Sequence, residues 1–215
     1  MTRSKVARGW WAAIVAVIVV SLVIQLVLIF TGGADANSGE TGASIGVRLW
    51  RLVSFFTIES NLIVLAALVF LVRSTSYDGP RWRVLHLDAL LGIVITGLVF
   101  AIVLAPQVHL TGWALAATIG FHYVSPWATL VGWLVFGPRP RMSWATVGLA
   151  FVWPLAWLVY IFVQGSFTDW YPYPFLDVTD LGLGVAVRNA AFVLVLGIAL
   201  AAGFKTLDAK LPRTG

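Results

Sequence analysis

The sequence predicts an all-α, polytopic integral membrane protein in which six transmembrane helices form one bundle. Of its 215 residues, 60% are apolar and only 11% are charged. A helix needs roughly 20 apolar residues to cross the hydrocarbon core of a bilayer. Six such runs are found, at residues 10–30, 53–72, 84–105, 113–136, 142–163 and 187–204. They occupy most of the chain, so we expect a single transmembrane domain over residues 1–215.

The basic residues predict how the bundle is oriented. The net charge is +5, and Arg48, Arg51 and Arg188 are the only Lys or Arg residues on one side of the runs. The others fall on the opposite side: Arg3, Lys5, Arg8, Arg73, Arg81, Arg83, Arg139, Arg141, Lys205, Lys210 and Arg213. Because Lys and Arg concentrate in cytoplasmic loops, both termini are predicted to be cytoplasmic. This topology explains the positive charge, so no nucleic-acid partner is expected.

A cluster of polar side chains opens the second run, at Thr57, Glu59, Ser60 and Asn61. Polar and ionisable groups within a membrane are costly, and they commonly mark functional sites. Thr57 and Asn61 are four residues apart and therefore share a helix face, which Ser60 adjoins. Glu59 points away from that face, and the sequence assigns it no role.

The fourth run carries a second polar point at His122. Both runs enter the membrane from the same side, with Thr57 about four residues deep and His122 about nine, a difference of roughly 7 Å. If the second helix begins earlier, near Val47, the two depths nearly coincide. The sequence therefore permits a Thr57–His122 pair, although it does not show that the two helices are neighbours.

A threonine–histidine pair of this kind can carry out nucleophilic catalysis. A threonine hydroxyl becomes a nucleophile when a positioned base such as imidazole takes its proton. Negative charge that develops on an attacked carbonyl then needs hydrogen-bond donors. Because a regular membrane helix uses its backbone N–H groups internally, we expect Asn61 or Ser60 to supply that donor. Tyr123 is a further candidate for substrate contact, and Asp177 is the best-placed carboxylate to orient His122.

Two other classes of function stay open. A membrane threonine usually donates to a preceding carbonyl, asparagine and serine can hold helices together, and a lone histidine can simply pack. These explanations favour a non-enzymatic protein that binds a lipid or a partner. A small-solute transporter ranks third, because inverted repeats would give matched interrupted spans, whereas Pro126 and Pro154 both lie in the second half. With no His, Asp or Glu cluster at ligand spacing, no metal or cofactor is expected.

The last outer loop, residues 164–184, is rich in aromatic residues and proline. Trp and Tyr at this position are typical of an aromatic belt at the lipid headgroups. Prolines also favour an extended segment, which could fold back over the mouth of the bundle as a cap. The two interpretations are compatible.

Three segments together resemble the androgen-induced-gene family, and more closely its bacterial six-span branch. They are residues 55–62 (FFTIESNL), 120–126 (GFHYVSP) and 171–177 (YPYPFLD). The resemblance covers nearly the whole chain in span count, order and motif position. It implies a multi-pass hydrolase of the plasma (inner) membrane in which Thr57 is the nucleophile and His122 its partner. The implied substrates are lipid-like esters, such as fatty acid esters of hydroxy fatty acids.

The resemblance also suggests a use for the three outer arginines. Arginine pairs with carboxylates through two parallel hydrogen bonds. We therefore expect one or more of Arg48, Arg51 and Arg188 to hold the free carboxylate of an acyl substrate while its ester reaches Thr57. Contact with lipid headgroups explains these arginines equally well.

Overall fold

The computed structural model describes residues 2–36, 41–140 and 142–212, and all regular structure in these residues is helical. The helices are α1 (Arg3–Thr31), α2 (Ile45–Ser54), α3 (Phe56–Arg73), α4 (Pro80–Val99), α5 (Gly112–Ile119), α6 (Ser125–Phe136), α7 (Trp144–Leu149), α8 (Val152–Thr168), α9 (Val178–Leu181) and α10 (Leu183–Lys210). π-Helical turns over Phe100–Leu104 and Gly120–Val124 continue α4 and join α5 to α6.

Six helical stretches among the described residues are long and apolar enough to cross a membrane. They are Arg3–Thr31, Phe56–Arg73, Pro80–Gln107, Gly112–Phe136, Trp144–Thr168 and Leu183–Lys210. The predicted six-span helical architecture is thus confirmed, with ends that differ by several residues from the apolar runs. Helices extend past an apolar run because their polar ends lie beyond the hydrocarbon core. The cytoplasmic placement of the termini stays a prediction.

The second span begins later than the apolar run. Residues Ile45–Ser54 form a separate helix, α2, capped by the Ser44 hydroxyl, which accepts a hydrogen bond from the Val47 N–H. Phe55 is extended, with φ −72° and ψ 124°, and it breaks the chain before α3 begins at Phe56. Thr57 is therefore the second residue of a helix. Its backbone N–H has no acceptor inside that helix.

The bundle is built around α4. In the most apolar part of this span 72% of the residues are buried, against 22% in each of the last two spans. α4 packs against α3 and α6, and α1 packs against α3, α5 and α6. α3 and α4 approach each other closely at Gly92 of α4, where an added Cβ would lie 2.9 Å from the Ser60 hydroxyl. The last two spans thus form the periphery, where most of their side chains face lipid.

The loop after α8 folds back over one end of the bundle, as the cap interpretation predicts. Trp170, Tyr171 and Tyr173 are all buried. The side chain of Gln164 donates to the Trp170 carbonyl across 2.8 Å. The Trp170 ring packs edge-on against Phe55, with ring centroids 5.7 Å apart. We call residues 169–182 the capping loop.

Candidate functional site

The structure brings Thr57 and His122 into contact, as the depth count permits. The Thr57 Oγ1 lies 3.3 Å from the His122 Nε2. Both side chains are buried, with exposed fractions of 3% and 2%. The contact joins the first turn of α3 to the π turn between α5 and α6. Because α3 begins at Phe56 and not near Val47, the contact does not arise from the earlier helix start that the depth count considered.

A backbone carbonyl orients the imidazole. His122 Nδ1 lies 3.1 Å from the carbonyl oxygen of Thr118. A carbonyl can only accept a hydrogen bond, so Nδ1 carries the proton and Nε2 presents its lone pair to Thr57. The ring of Phe100 stacks on the imidazole, with centroids 3.9 Å apart and planes at 25°. Hydrogen bond and stacking together fix the tautomer and the plane of His122.

Two π turns meet at this histidine. His122 lies in the turn Gly120–Val124, and Phe100 begins the turn Phe100–Leu104. Each turn starts six residues before a proline, at Pro126 and Pro106. A proline ring clashes with the carbonyl four residues earlier, and widening the helix to a π turn relieves this clash. Such π turns are frequent at functional sites, and Pro106 and Pro126 were the available signal for them in the sequence.

Tyr173 is the third member of the site, and the sequence analysis did not place it there. Its Oη accepts a hydrogen bond from the Thr57 backbone N–H across 3.1 Å. The same oxygen lies 3.2 Å from Thr57 Oγ1. Burial raises the pKa of Tyr173 to about 12, so the phenol keeps its proton. In the sequence, the signal that could have placed Tyr173 in the site was the YPYPF string, which lies in a loop predicted to be able to fold back over the bundle.

Tyr123 is not part of this site. Its side chain is 40% exposed on the outside of the bundle, and it contacts Phe100 edge-on with ring centroids 5.6 Å apart. In the π turn, adjacent residues point in different directions, so the neighbour of His122 faces outward. The expected tyrosine contact is instead made by Tyr173.

Asn61 and Ser60 do not supply the expected donor. Asn61 Nδ2 donates to the Thr57 carbonyl across 2.8 Å and lies 3.4 Å from the Phe121 carbonyl. Its amide hydrogens thus tie α3 to the π turn that carries His122. Ser60 is fully buried against Gly92 of α4. The reason for the correction is that the Asn61 amide nitrogen is occupied by these two carbonyls, whereas Ser60 faces Gly92 of α4.

Glu59 acquires a structural role. Its half-buried carboxylate accepts a hydrogen bond from the indole N–H of Trp153 across 2.5 Å. Phe56 stacks on the same indole, with ring centroids 4.7 Å apart. Glu59 therefore links α3 to α8, on a different side of α3 from Asn61.

Arg48 is a structural anchor and does not present its guanidinium to a substrate. It is 4% exposed and donates to the carbonyls of Ile29, across 3.0 Å, and Gly33, across 2.5 Å. These carbonyls lie at the C-terminal end of α1, where the helix dipole favours a cation. The prediction that Arg48 binds a substrate carboxylate is corrected for this reason.

The other two outer arginines stay candidates for carboxylate binding. The Arg51 guanidinium lies over the Trp170 ring, 5.0 Å from its centroid, which is a cation–π geometry. Arg188 is exposed near the start of α10, where its Nη2 lies 3.3 Å from the Asn189 side-chain oxygen. Neither arginine touches Thr57 or His122 in the hydrogen bonds that the structure records.

Asp177 does not orient His122. It caps α9, where its carboxylate accepts from the Thr179 N–H across 2.8 Å and from the Thr179 hydroxyl across 2.6 Å. An aspartate at the start of a helix is satisfied locally by the first-turn N–H groups. The carbonyl of Thr118 takes the position that we expected for Asp177.

An apolar pocket of about 70 Å³ adjoins Thr57. Its walls come from α3, α4, α8, α10 and the capping loop. They include Leu91, Ile95, Phe151, Leu158, Val193 and Gly197. A water-sized group needs about 10–15 Å³, so several chain atoms fit. The only hydroxyl groups among the lining residues belong to Thr57, Thr96 and Tyr173. We call this cavity the Thr57 pocket.

The fold and the site define the class of this protein. It is a multi-pass helical membrane protein with a buried Thr–His–Tyr cluster beside an apolar pocket. The chain matches no family model, no curated protein and no solved structure. Within residues 2–36, 41–140 and 142–212, no group of three His, Asp or Glu side chains is arranged to hold a metal ion.

Proposed function

We propose that this protein hydrolyses carboxylic esters of lipids within the membrane, with Thr57 as the nucleophile and His122 as the general base. The observation that carries the proposal is the 3.3 Å contact between Thr57 Oγ1 and the lone-pair nitrogen of His122. A hydroxyl held against a base that is itself oriented is the arrangement of an activated nucleophile. The neighbouring apolar pocket supports an acyl chain as the group that is recognised.

The acylation step uses these groups in order. Thr57 Oγ1 forms a bond to the ester carbonyl carbon while His122 Nε2 takes its proton. The carbonyl oxygen becomes an oxyanion. As this tetrahedral intermediate collapses, the bond to the leaving alcohol oxygen breaks, and His122 returns its proton to that oxygen. The products are the free alcohol and an acyl ester of Thr57.

Deacylation repeats these steps with water. His122 Nε2 takes a proton from a water molecule, whose oxygen attacks the acyl carbon. Collapse of the second intermediate breaks the bond to Thr57 Oγ1, which regains a proton from His122. The carboxylic acid is then released, and the site returns to its starting state.

Tyr173 is the proposed donor to the oxyanion. Its lone pair accepts from the Thr57 N–H, so its own proton is free to point to Thr57 Oγ1 or to an oxygen bound there. The site also lies at the N-terminus of α3, where the helix dipole favours negative charge. Donors fixed in position before the reaction stabilise the transition state without reorganisation.

The finer substrate proposal rests on the three motifs that resemble the androgen-induced-gene family. It names fatty acid esters of hydroxy fatty acids, hydrolysed in the plasma membrane. Arg51 and Arg188 are the arginines proposed to meet the free carboxylate of such an ester.

The test of the proposed function is hydrolysis of a fluorogenic long-chain ester by the purified protein in detergent. Thr57→Ala and His122→Gln should each lower kcat by about a thousandfold or more, because the nucleophile and its base act as a unit. Thr129→Ala is the matched control, since Thr129 is an equally buried threonine outside the pocket, and it should retain activity. Unchanged turnover in Thr57→Ala would remove the proposal.

A non-enzymatic lipid-binding protein is the second candidate, and the apolar pocket is the observation that favours it. In that case the wild-type protein binds fatty acids without turnover of any ester. Thr57→Ser and His122→Gln would then bind as tightly as the wild type, because neither group would meet a reacting atom.

A further inference from the structure

Thr96 is a buried hydroxyl group whose hydrogen bond is missing. It lines the Thr57 pocket and is 5% exposed. Its Oγ1 has no hydrogen-bond partner among the residues that the structure describes. A helical threonine commonly donates to the carbonyl four residues earlier, but Thr96 does not. Unlike the buried hydroxyls of Ser60, Ser125 and Thr129, which also have no recorded partner, Thr96 lines the pocket. A buried hydroxyl left without a partner is destabilising.

The position of Thr96 follows from the packing around His122. Phe100 stacks on the His122 imidazole, which in turn contacts Thr57, so Phe100 marks the level of the nucleophile. Thr96 precedes Phe100 by four residues in α4. It therefore lies about 6 Å deeper along the helix axis. The pocket continues past this level to Leu91, five residues earlier in α4.

We infer that Thr96 forms a second polar subsite, which binds an oxygen substituent on the acyl chain of the ligand. The inference rests on the proposed function, because the ester carbonyl must lie at Thr57. Thr96 lies about 6 Å deeper than the level of Thr57, and an O–H···O hydrogen bond spans about 2.8 Å of that distance. The substituent therefore lies on one of the first few carbons after the carbonyl. The ligand class is a hydroxyacyl or ketoacyl lipid.

The apolar surroundings make this subsite selective. The side chains beside Thr96 on the pocket wall are Ile95 and Val99 of its own helix, and neither offers an alternative partner. A plain acyl chain leaves the hydroxyl of Thr96 unpaired, whereas a chain with an oxygen at the right carbon pairs it. Sites built to hydrogen-bond a substrate group reject analogues without that group more strongly than apolar sites do.

The test measures binding of three acids to the full-length protein in detergent: dodecanoic, β-hydroxydodecanoic and δ-hydroxydodecanoic acid. Each is assayed against the wild type, Thr96→Val and Thr129→Val by displacement of a fluorescent fatty acid. Thr129 is the matched control because its hydroxyl is also buried without a recorded partner, but it lies outside the pocket. The comparison between ligands and variants forms a double-mutant cycle.

For each protein, the measured quantity is the affinity for a hydroxy acid divided by the affinity for dodecanoic acid. For at least one hydroxy acid, this ratio should be about three- to tenfold higher in the wild type than in Thr96→Val. Thr129→Val should keep the wild-type ratio. Equal ratios in the wild type and Thr96→Val for both hydroxy acids would overturn the inference. Failure of all three acids to bind would overturn it as well.

A parallel assay separates this inference from the proposed hydrolase. It measures kcat/KM for nitrophenyl esters of the same three acids. A Thr96-dependent binding preference without turnover removes the hydrolase and leaves the subsite. Turnover that depends on Thr57 but shows no Thr96-dependent preference removes the subsite and leaves the hydrolase.

Discussion

At the scale of single residues, the hydrogen bond between His122 and the Thr118 carbonyl determines what the site can do. It places the proton on Nδ1. A protein that uses a carbonyl for this purpose needs no acidic residue in the membrane, where a carboxylate would be costly. The Thr118 carbonyl therefore takes the part that the sequence analysis gave to the Asp177 carboxylate.

Tyr173 gives the first prediction at this scale. Tyr173→Phe keeps the ring but removes the proposed oxyanion donor, so kcat for ester hydrolysis should fall by about a hundredfold with little change in KM. Because the pKa of Tyr173 is about 12, the phenol stays protonated and the defect should not vary across neutral and mildly alkaline pH.

Tyr171→Phe is the matched control for that substitution. Tyr171 lies in the same loop, with its ring packed over Gly165, and Tyr171→Phe should keep kcat within about twofold because Tyr171 does not line the Thr57 pocket. A Tyr173→Phe protein with normal kcat would show that the oxyanion is stabilised elsewhere.

Glu59 gives a second prediction. Its bond to Trp153 is structural, so Glu59→Ala should lower the free energy of unfolding by about 1–3 kcal/mol, the cost of an indole N–H that has lost its partner. The kcat of the folded fraction should stay near the wild-type value.

Thermal unfolding of Glu59→Ala, Trp153→Phe and the double variant measures this contact. The two losses should be non-additive, since either substitution already removes the same hydrogen bond. Additive losses, or an inactive but folded Glu59→Ala protein, would contradict the structural role.

At the scale of helices, prolines and the break at Phe55 position the site. Pro126 accounts for the π turn that carries His122, since its ring cannot fit over a regular α-helical turn. Pro126→Ala should let α5 and α6 join as one α-helix and rotate His122 away from Thr57. A displacement of about 1 Å can cost a hundredfold in rate, so kcat should fall by that order while the protein stays folded.

Pro80→Ala is the control for the proline substitution. Pro80 is the first residue of α4, a position where proline needs no special geometry, and its replacement should leave kcat unchanged. The assay is ester hydrolysis with helicity followed by circular dichroism. Full activity in Pro126→Ala would show that the π turn does not position His122.

The same scale shows what sequence reasoning could and could not reach. Spacing along one helix identified the Thr57 face, and depth counting allowed His122 to meet it. Both depend only on helical geometry. The contact of Tyr173 was out of reach because it depends on the path of the capping loop, which no periodicity encodes. The break at Phe55 was missed because residues 52–58 contain no Gly or Pro to mark it.

At the scale of the whole molecule, composition was enough to predict six spans in one bundle. Apolar runs report membrane crossing directly, because the hydrocarbon thickness sets their length. Partners within the bundle were harder to predict. Arg48 shows why: its charge suggested an exposed contact with lipid or substrate, but it is buried on the carbonyls that end α1. A charge pattern predicts the side of the membrane and not the partner.

The arrangement of spans also bears on how a lipid ester would reach the site. The Thr57 pocket is walled on one side by α8 and α10, the spans with the fewest buried residues. The capping loop covers the end of the bundle above Thr57. Under the proposed function, a lipid ester would reach the pocket from the bilayer side, past these two peripheral spans.

The most direct measurement of the central claim is covalent labelling of the purified protein with a fluorophosphonate, followed by mass spectrometry of its peptides. Activated hydroxyl nucleophiles react with such probes, whereas ordinary buried threonines do not. The label should be found on Thr57, be absent from Thr57→Ala, and be strongly reduced in His122→Gln. A wild-type protein that hydrolyses esters but carries its label elsewhere, or labelling that persists in Thr57→Ala, would contradict the account.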